Sequence, residues 1–546
     1  MKNNHLKILI IAVIIILLSS FLWGYIYVNK KESDENNQQK VDYAIKIIKD
    51  STFGDNIYNI NSTKKDILEI EYQNQIYENI DKMLRHNAYT FNNPLIIYNP
   101  YGTNLLGINI YFKSNSFKKL SYKITTDDEN INEFERELDN NSFYNKSKKY
   151  YGYQIIGLVP GEVNHITLKI KLKNNNIKKH VININFDMMS KNKLIIKKGI
   201  EKINPDDKSL LYPLINGERK IYDNYGIERV NLPYVKFKKE FRLLLMGDYM
   251  LYAYDNYNFI KLDRFGRILK IYNTGNFRMH HDYKMDEKNN KLVFLTTNPG
   301  SNTINDIVRY IDLKTGKSKE LLNFKELLND IYLKTITSNN IDNRFKRDWI
   351  HINSLEIIDG KDIIVSSRIL SAIIYISDIY NDPKIEYIIS PYKEFKDSKY
   401  KDLVLTKEGD FSNNSGQHSL NYIKVNKNNH KILFFNNSIP YNSFSKNYHI
   451  NFKTLKNEKD LYSKIDIYNI DTVNKKYTLE KEFNVPYSFS QGSVQAYKNG
   501  YIVTSSLHKI IGDYDFNGNL KTEYLIDDRD DLTGATRYTF NNFWFK

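Results

Sequence analysis

Ile311-Asp312-Leu313-Lys314-Thr315-Gly316 separates two runs of β-forming residues, and the same kind of turn recurs along the chain. It returns as Leu262-Asp263-Arg264-Phe265-Gly266, Ile376-Ser377-Asp378-Ile379-Tyr380-Asn381, Ile470-Asp471-Thr472-Val473-Asn474 and Tyr514-Asp515-Phe516-Asn517-Gly518. Asp, Asn and Gly are the residues that chain reversals favour. The Asp-to-Asp intervals are 49, 66, 93 and 44 residues. A four-stranded propeller blade takes about 40–50 residues, so two of the intervals must carry inserted loops. Tyr222-Asp223-Asn224-Tyr225-Gly226 adds one further turn of this type. From about residue 200 onward the pattern predicts an all-β fold, a propeller of about six blades. An elongated β-solenoid is the alternative that the same repeat allows.

Working back from that region, the chain changes character twice. Runs of alternating polarity at 105–112, 120–124, 153–158, 166–172 and 180–186 predict five strands, enough for a small β-sandwich. It holds no cluster of chemically useful residues, and His165 and His180 read as surface positions. Further back, 41–49 and 67–84 show helical spacing, and 32–40 is a polar linker. Residues 8–28 carry no charge, long enough to cross about 30 Å of hydrocarbon. Trp23, Tyr25 and Tyr27 stand where a cleavable leader would carry small residues, so the segment reads as an uncleaved signal anchor with the bulk of the chain exported. The expected organisation is an anchor at 1–29, a linker and helical spacer at 30–90, a β-sandwich at 91–195 and a β-propeller at 196–546.

Composition narrows the function. There is no Cys, which removes disulfides, thiolate metal sites and a thiol nucleophile. The net charge of +15 is spread among Asn, Asp and Glu and forms no basic block interleaved with aromatics, so no nucleic acid partner is expected. Tyr, with 44 copies, leads an aromatic share of 14%, which favours pleated surfaces and could supply a sleeve for an aromatic ring.

The chemistry-bearing residues fall beside predicted strands. In Asp348-Trp349-Ile350-His351-Ile352-Asn353-Ser354, a strand would put His351 and Asn353 on one face. Arg368 follows just past the next strand, in Ser366-Ser367-Arg368. An imidazole, an amide and a guanidinium together suit a small oxyanion. His280-His281-Asp282 precedes a strand at 291–296, and Gly416-Gln417-His418-Ser419 precedes one at 431–435. In a propeller the inner strand ends of different blades converge, so these distant segments can meet. His430, His449 and His508 read as structural. Three His could also bind zinc, but Arg368 beside them would repel a cation, so neither metal nor cofactor is expected.

Met279-His280-His281-Asp282, the 348–354 stretch, Ser366-Ser367-Arg368 and Ser415-Gly416-Gln417-His418 resemble, in order, successive motifs of the bacterial arylsulfate sulfotransferases. Residues 487–493 with 500–506 resemble that family's late segment, and Asn99-Pro100-Tyr101-Gly102-Thr103-Asn104-Leu105-Leu106 its N-terminal sandwich. The resemblance covers about 240–510. It implies a six-bladed propeller behind a small sandwich, moving a sulfuryl group from a phenolic sulfate donor to a phenolic acceptor without a nucleotide sulfate. By matching position, His418 would be the nucleophile, and His351, Asn353, Arg368 and one of His280 and His281 the other site residues. Their chemistry agrees. A planar guanidinium can hold two sulfate oxygens. A neutral imidazole can attack sulfur, and a second can serve the phenolic oxygens as acid and base. Asn353 can position His351 or contact sulfate; Asp282 and Asp348 are candidates for orienting imidazoles. Alternation along a strand lets only one of His280 and His281 face the site. The absence of Cys and the apparent membrane anchor depart from better-known members. The 378–471 interval and the 444–463 insertion put substrate range in doubt. A non-catalytic anion-binding propeller and an aryl sulfate hydrolase are the competing functions; a homodimer is an assembly left open.

Overall fold

The computed structural model describes residues 43–546 other than 64, 115–116, 146–148, 188, 190–193, 233–241, 337–345, 440–443, 445–460 and 527–530. The expected membrane anchor at 1–29 lies outside the described residues. Among those described, no helix is long and apolar enough to cross a membrane.

The described chain is all-β apart from short helices and one of 17 residues, Ile70–His86. Two sheets come first. One runs in the order Lys46–Lys49, Ile57–Asn61, Leu95–Tyr98, Ile108–Lys113, Tyr150–Ile155, Phe143–Asn145. The other runs Ile177–Asn185, Val163–Leu172, Phe117–Thr126, Phe134–Leu138. Alternation sets their facing: Ile166, Leu168 and Ile170 are buried in one core with Ile108, Ile110 and Phe112. The helix Ile70–His86 lays Tyr72, Ile76, Ile80 and Leu84 against Leu95, Ile97 and Tyr111 of the first sheet.

The helix expected at 41–49 is not formed. Lys46–Lys49 is a strand, antiparallel to Ile57–Asn61 with Ile47 opposite Ile60. The β-branched pair Ile47-Ile48 suits a pleated edge, and the turn at Gly54 (φ 137) places that hairpin against the second sheet. A side chain on Gly54 would meet the Asn183 carbonyl at 2.9 Å.

Six further sheets follow along the chain, each antiparallel in its four core strands. Their innermost strands are Leu532–Tyr538, Leu244–Met246, Arg278–Asp286, Ile352–Ile358, His418–Lys424 and Ser493–Tyr497. The first of these is the last strand of the chain and pairs with Leu210–Ile215, so the two ends of the region share one sheet. The expected turns all have one place. Asp223, Asp263, Asp312, Asp378, Asp471 and Asp515 each lie between the third and fourth strand of a sheet. The Asp312 Oδ1 atom accepts from the N–H groups of Lys314 (3.0 Å) and Thr315 (2.8 Å), and Asp515 Oδ1 from those of Asn517 (2.8 Å) and Asn519 (2.9 Å).

Each sheet is buried on both faces, which is why its central strands read as nearly unbroken apolar runs. Along Lys291–Thr297, Leu292 and Phe294 pack toward the preceding sheet, with Leu251 and Phe259. Val293 and Leu295 pack toward the following one, with Ile363 and Val365. Equivalent seams join every neighbouring pair, including the last sheet with the first through Ile502, Ile511, Leu211 and Tyr222. This circuit of seams is consistent with a β-propeller. The turn at 263–266 docks the circuit on the two N-terminal sheets. The Phe265 carbonyl accepts from Asn109 Nδ2 (2.9 Å) and Gln154 Nε2 (3.2 Å), and the Gly266 carbonyl from Thr103 Oγ1 (2.6 Å).

Candidate active site

His280, His281, His351, Asn353 and His418 sit at one end of the innermost strands of three consecutive sheets, and Arg368 just past the second strand, Asp362–Ser367, of the middle one. His280 and His281 lie on Arg278–Asp286, where pairing with the next strand is interrupted between Met279 and Tyr283. His351 immediately precedes Ile352–Ile358, and Asn353 falls in a register shift between Ile352 and Ser354. His418 opens His418–Lys424, whose register shifts between His418 and Asn421. Three residues here have left-handed backbone: His281 (φ 57), His351 (φ 51) and Ser419 (φ 55). Each such conformation costs a non-glycine residue about 1–3 kcal/mol and persists only where its surroundings enforce it. The bulges re-aim side chains that a regular strand would send elsewhere.

Strand alternation, expected to send only one of the His280-His281 pair toward the site, fails here. His280 and His281 do not face opposite ways: their Nδ1 atoms are 2.8 Å apart. His281 then reaches across to the next sheet, its Nε2 3.2 Å from His351 Nε2. His351 Nδ1 lies 2.5 Å from Asp348 Oδ2. Burial opposes ionisation of Asp348, but the His351 charge and hydrogen bond, the Arg368 charge and a hydrogen bond from Asn305 outweigh it and hold the carboxyl below its usual range. An ionised Asp348 only accepts, so His351 carries its proton on Nδ1 and meets His281 through Nε2. Each close nitrogen pair needs one proton between two ring atoms. The row from His280 to Asp348 can therefore deliver or take up a proton at a neighbouring oxygen.

His418 is buried, and its surroundings differ. Its Nδ1 is 2.7 Å from the side-chain oxygen of Asn437. Burial, reinforced by the Arg368 charge, pushes its pKa down to about 3 against the Asn437 hydrogen bond, so the ring is neutral near pH 7. The loop before it is pinned without any disulfide. Gln417 Nε2 donates to Ser366 Oγ (3.1 Å), the Ser367 carbonyl (3.1 Å) and the Ala372 carbonyl (3.0 Å). Asn353 Nδ2 donates to the Gln417 carbonyl at 2.7 Å, so Asn353 ties the His351 strand to the His418 loop. Arg368 is fixed at its backbone, donating its N–H to the His351 carbonyl at 3.1 Å, and its charge is felt by both Asp348 and His418. Asp282 serves a different purpose. It accepts from the N–H groups of Tyr283 (2.9 Å) and Leu355 (3.2 Å) and pairs with Arg242 (3.1 Å), joining two sheets rather than orienting an imidazole.

Asn437 and Asn305 were not singled out in the sequence. Both are amides beside strand ends in a chain rich in Asn, and only their neighbours in space distinguish them. A weak signal exists in Phe434-Phe435-Asn436-Asn437, where two amides end an apolar run. A small apolar cluster of Ile369, Ile439 and Tyr487, with Phe489 and Leu507 against it, is built from residues next to Arg368 and near Asn437 in the chain. Among the described residues, no group of three or more His, Asp or Glu side chains is set to hold a metal ion.

No curated protein gives a significant match. Three solved structures are similar only loosely: a putative 6-phosphogluconolactonase from Bacteroides fragilis, apo AztD from Citrobacter koseri and a functionally unknown protein from Desulfotomaculum acetoxidans. They share 10%, 11% and 8% identity, cover 78%, 77% and 60% of this chain and 99%, 99% and 98% of their own, and have TM-scores of 0.30, 0.26 and 0.34. The family described as Arylsulfotransferase (ASST) matches residues 208–527, and that described as the Arylsulfotransferase Ig-like domain matches residues 95–186. With the first match spanning more than half of the chain, and the histidines, Asn353 and Arg368 gathered inside it, the chain belongs to the arylsulfotransferase family.

Proposed function

We propose that the protein is an arylsulfate sulfotransferase that works by a ping-pong mechanism through a sulfohistidine at His418, with no nucleotide sulfate donor. The observation that carries this reading is a buried, neutral His418 beside the Arg368 charge, one sheet away from a hydrogen-bonded His281–His351 pair. In the first half-reaction the His418 Nε2 lone pair attacks the sulfur of an aryl sulfate. The sulfur–aryloxygen bond breaks, and the His281–His351 pair supplies a proton to the departing phenolate. Arg368 draws the negative sulfate oxygens with two parallel N–H groups. In the second half-reaction the same pair takes the proton of an incoming phenol, whose oxygen attacks sulfur. The sulfur–nitrogen bond breaks and His418 regains its lone pair. Splitting one displacement into two is the usual gain of nucleophilic catalysis. Asn353 holds the His418 loop in place, and the cluster around Ile369 and Tyr487 offers an apolar wall for an aryl ring.

Within this reading the catalytic unit is a six-bladed propeller over 196–546, and 91–195 is the sandwich that buttresses it. Residues 1–29 tether the exported protein to a membrane; of the spacer expected at 30–90, Lys46–Lys49, Ile57–Asn61 and the helix Ile70–His86 are instead built into the first N-terminal sheet and its core. The strand Ile195–Lys198 lies at the outer edge of the last sheet, on that boundary.

Intact mass after mixing with an aryl sulfate and no acceptor tests the reading. The expected result is a stable gain of one sulfuryl group, discharged by added phenol and lost in His418→Ala. Release of phenol with no labelled protein and no need of an acceptor would replace the transferase with a hydrolase. Binding of the aryl sulfate with no phenol release would leave an anion-binding protein.

A further inference from the structure

We propose that Asn437 is a positioning residue that sets the proton of His418, fixing the ring as the Nδ1–H tautomer with its lone pair on Nε2. The consequence for catalysis rests on the sulfohistidine reading; the tautomer rests on geometry alone. Asn437 is fully buried, and its amide nitrogen donates to two backbone carbonyls, Ser488 at 2.7 Å and Gln491 at 2.8 Å. Carbonyl oxygens only accept, so the amide has one orientation; reversed, it would set its own oxygen against both of them. Its Oδ1 atom is therefore the one that meets His418 Nδ1 at 2.7 Å. That oxygen also only accepts, so Nδ1 carries the hydrogen. A neutral imidazole has one N–H, which leaves Nε2 as the nucleophilic atom.

The choice of an amide has its own physical sense. His351 is given a carboxylate, Asp348, while His418 is given a neutral acceptor at similar distance. A carboxylate stabilises a cationic ring, and a cationic ring has no lone pair for sulfur. After transfer, the sulfurated ring keeps its Nδ1–H and Asn437 can still accept it. Because the amide does not neutralise that ring, the imidazole remains a good leaving group for the second half-reaction. The charged and titratable groups facing His418 are Arg368 and His351, and both disfavour its protonation. The Asn437 hydrogen bond and a backbone hydrogen bond with Gly416 act the other way but are outweighed, and a carboxylate at 437 would add a negative charge to that side.

The test is long-range 15N–1H NMR on the full chain with labelled histidine, in wild type and in Asn437→Asp and Asn437→Ala. Wild-type His418 is expected to show the Nδ1–H pattern, unchanged from pH 8 to pH 5. In Asn437→Asp its protonation midpoint should rise by about one to three pH units. Sulfuryl labelling at pH 7 should fall in that variant and recover as the pH is raised. In Asn437→Ala labelling should slow by about 10–100-fold with the KM for donor little changed, as for other partners that orient a functional imidazole. A wild-type Nε2–H pattern, or an unchanged His418 titration in folded Asn437→Asp, overturns the inference. If the variants do not fold, the wild-type spectrum decides. A clear Nδ1–H pattern in a protein that never takes up a sulfuryl group would sink the proposed function and leave the role of Asn437 in setting the tautomer intact.

Discussion

Replacing His418 by Gln should make the protein less sensitive to acid. In the folded chain this imidazole takes a proton only near pH 3, because it is buried and lies in the Arg368 field. In the unfolded chain it takes one near its ordinary value of about 6.5. Between those limits the unfolded state binds more protons, so stability falls as the pH drops from about 6.5 to 3 and is complete above 6.5. The slope is at most about 1.4 kcal/mol per pH unit, and the whole effect is about 5 kcal/mol. Glutamine keeps an N–H for Asn437 and cannot titrate. Its unfolding free energy relative to wild type should therefore improve by about 3 kcal/mol between pH 6.5 and pH 4. Pulse proteolysis in urea at several pH values measures this without any substrate. Parallel curves for the two proteins would refute the reasoning, since they would mean that native His418 protonates at an ordinary pH and is not kept neutral by its surroundings. His430 provides the control. It is buried against Tyr387, pushed down to about 4 by desolvation, and remote in role. His430→Gln should flatten the same curve over a narrower range while leaving sulfuryl labelling intact.

Arg368→Lys keeps a positive charge but loses the planar fork, so kcat/KM for an aryl sulfate should fall by about 10–100-fold, the worth of one charged hydrogen bond. Arg368→Met should fall further, and steady-state kinetics showing the two equal would rule out bidentate binding. Asp348→Asn leaves His351 with a neutral partner in place of a 2.5 Å charged one; acceptor-dependent turnover should drop by about tenfold or more while the mass gain on His418 persists. Phe294 is fully buried between two sheets beside Phe259. Phe294→Ala should cost about 3–5 kcal/mol in denaturant unfolding at any pH, which separates fold damage from site damage.

Much of the fold was legible because it is written in short-range terms. The Asp turns were recognisable since an Asx side chain caps its own turn, and all six mark the same joint of a sheet. The helix at Ile70–His86 was legible from its apolar stripe. The region at 41–49 misled because Ile47 and Ile48 fit a helix face and a sheet edge about equally, and the partner strand Ile57–Asn61 decided between them. At the site, His351, Asn353, Arg368, His418 and the His280-His281 pair stood out by residue type beside strands. Their geometry was not readable. Alternation assumes a regular strand, and His281 breaks it with a left-handed backbone inside a register shift.

The sequence by itself determined the alternating strands, the turns between them and the residue types available for chemistry, since each depends on neighbours a few positions away. Only the tertiary structure decided which ring nitrogens meet. His281 and His351 are 70 residues apart, and His418 opens one strand while Asn437 follows the end of the next, in a sheet whose place depends on its neighbours. Burial within that circuit makes His418 neutral, and the Ser488 and Gln491 carbonyls set the Asn437 amide that orients it. Protonation and tautomer are properties of a surrounding field and of fixed partners. They exist only once the sheets have packed against one another.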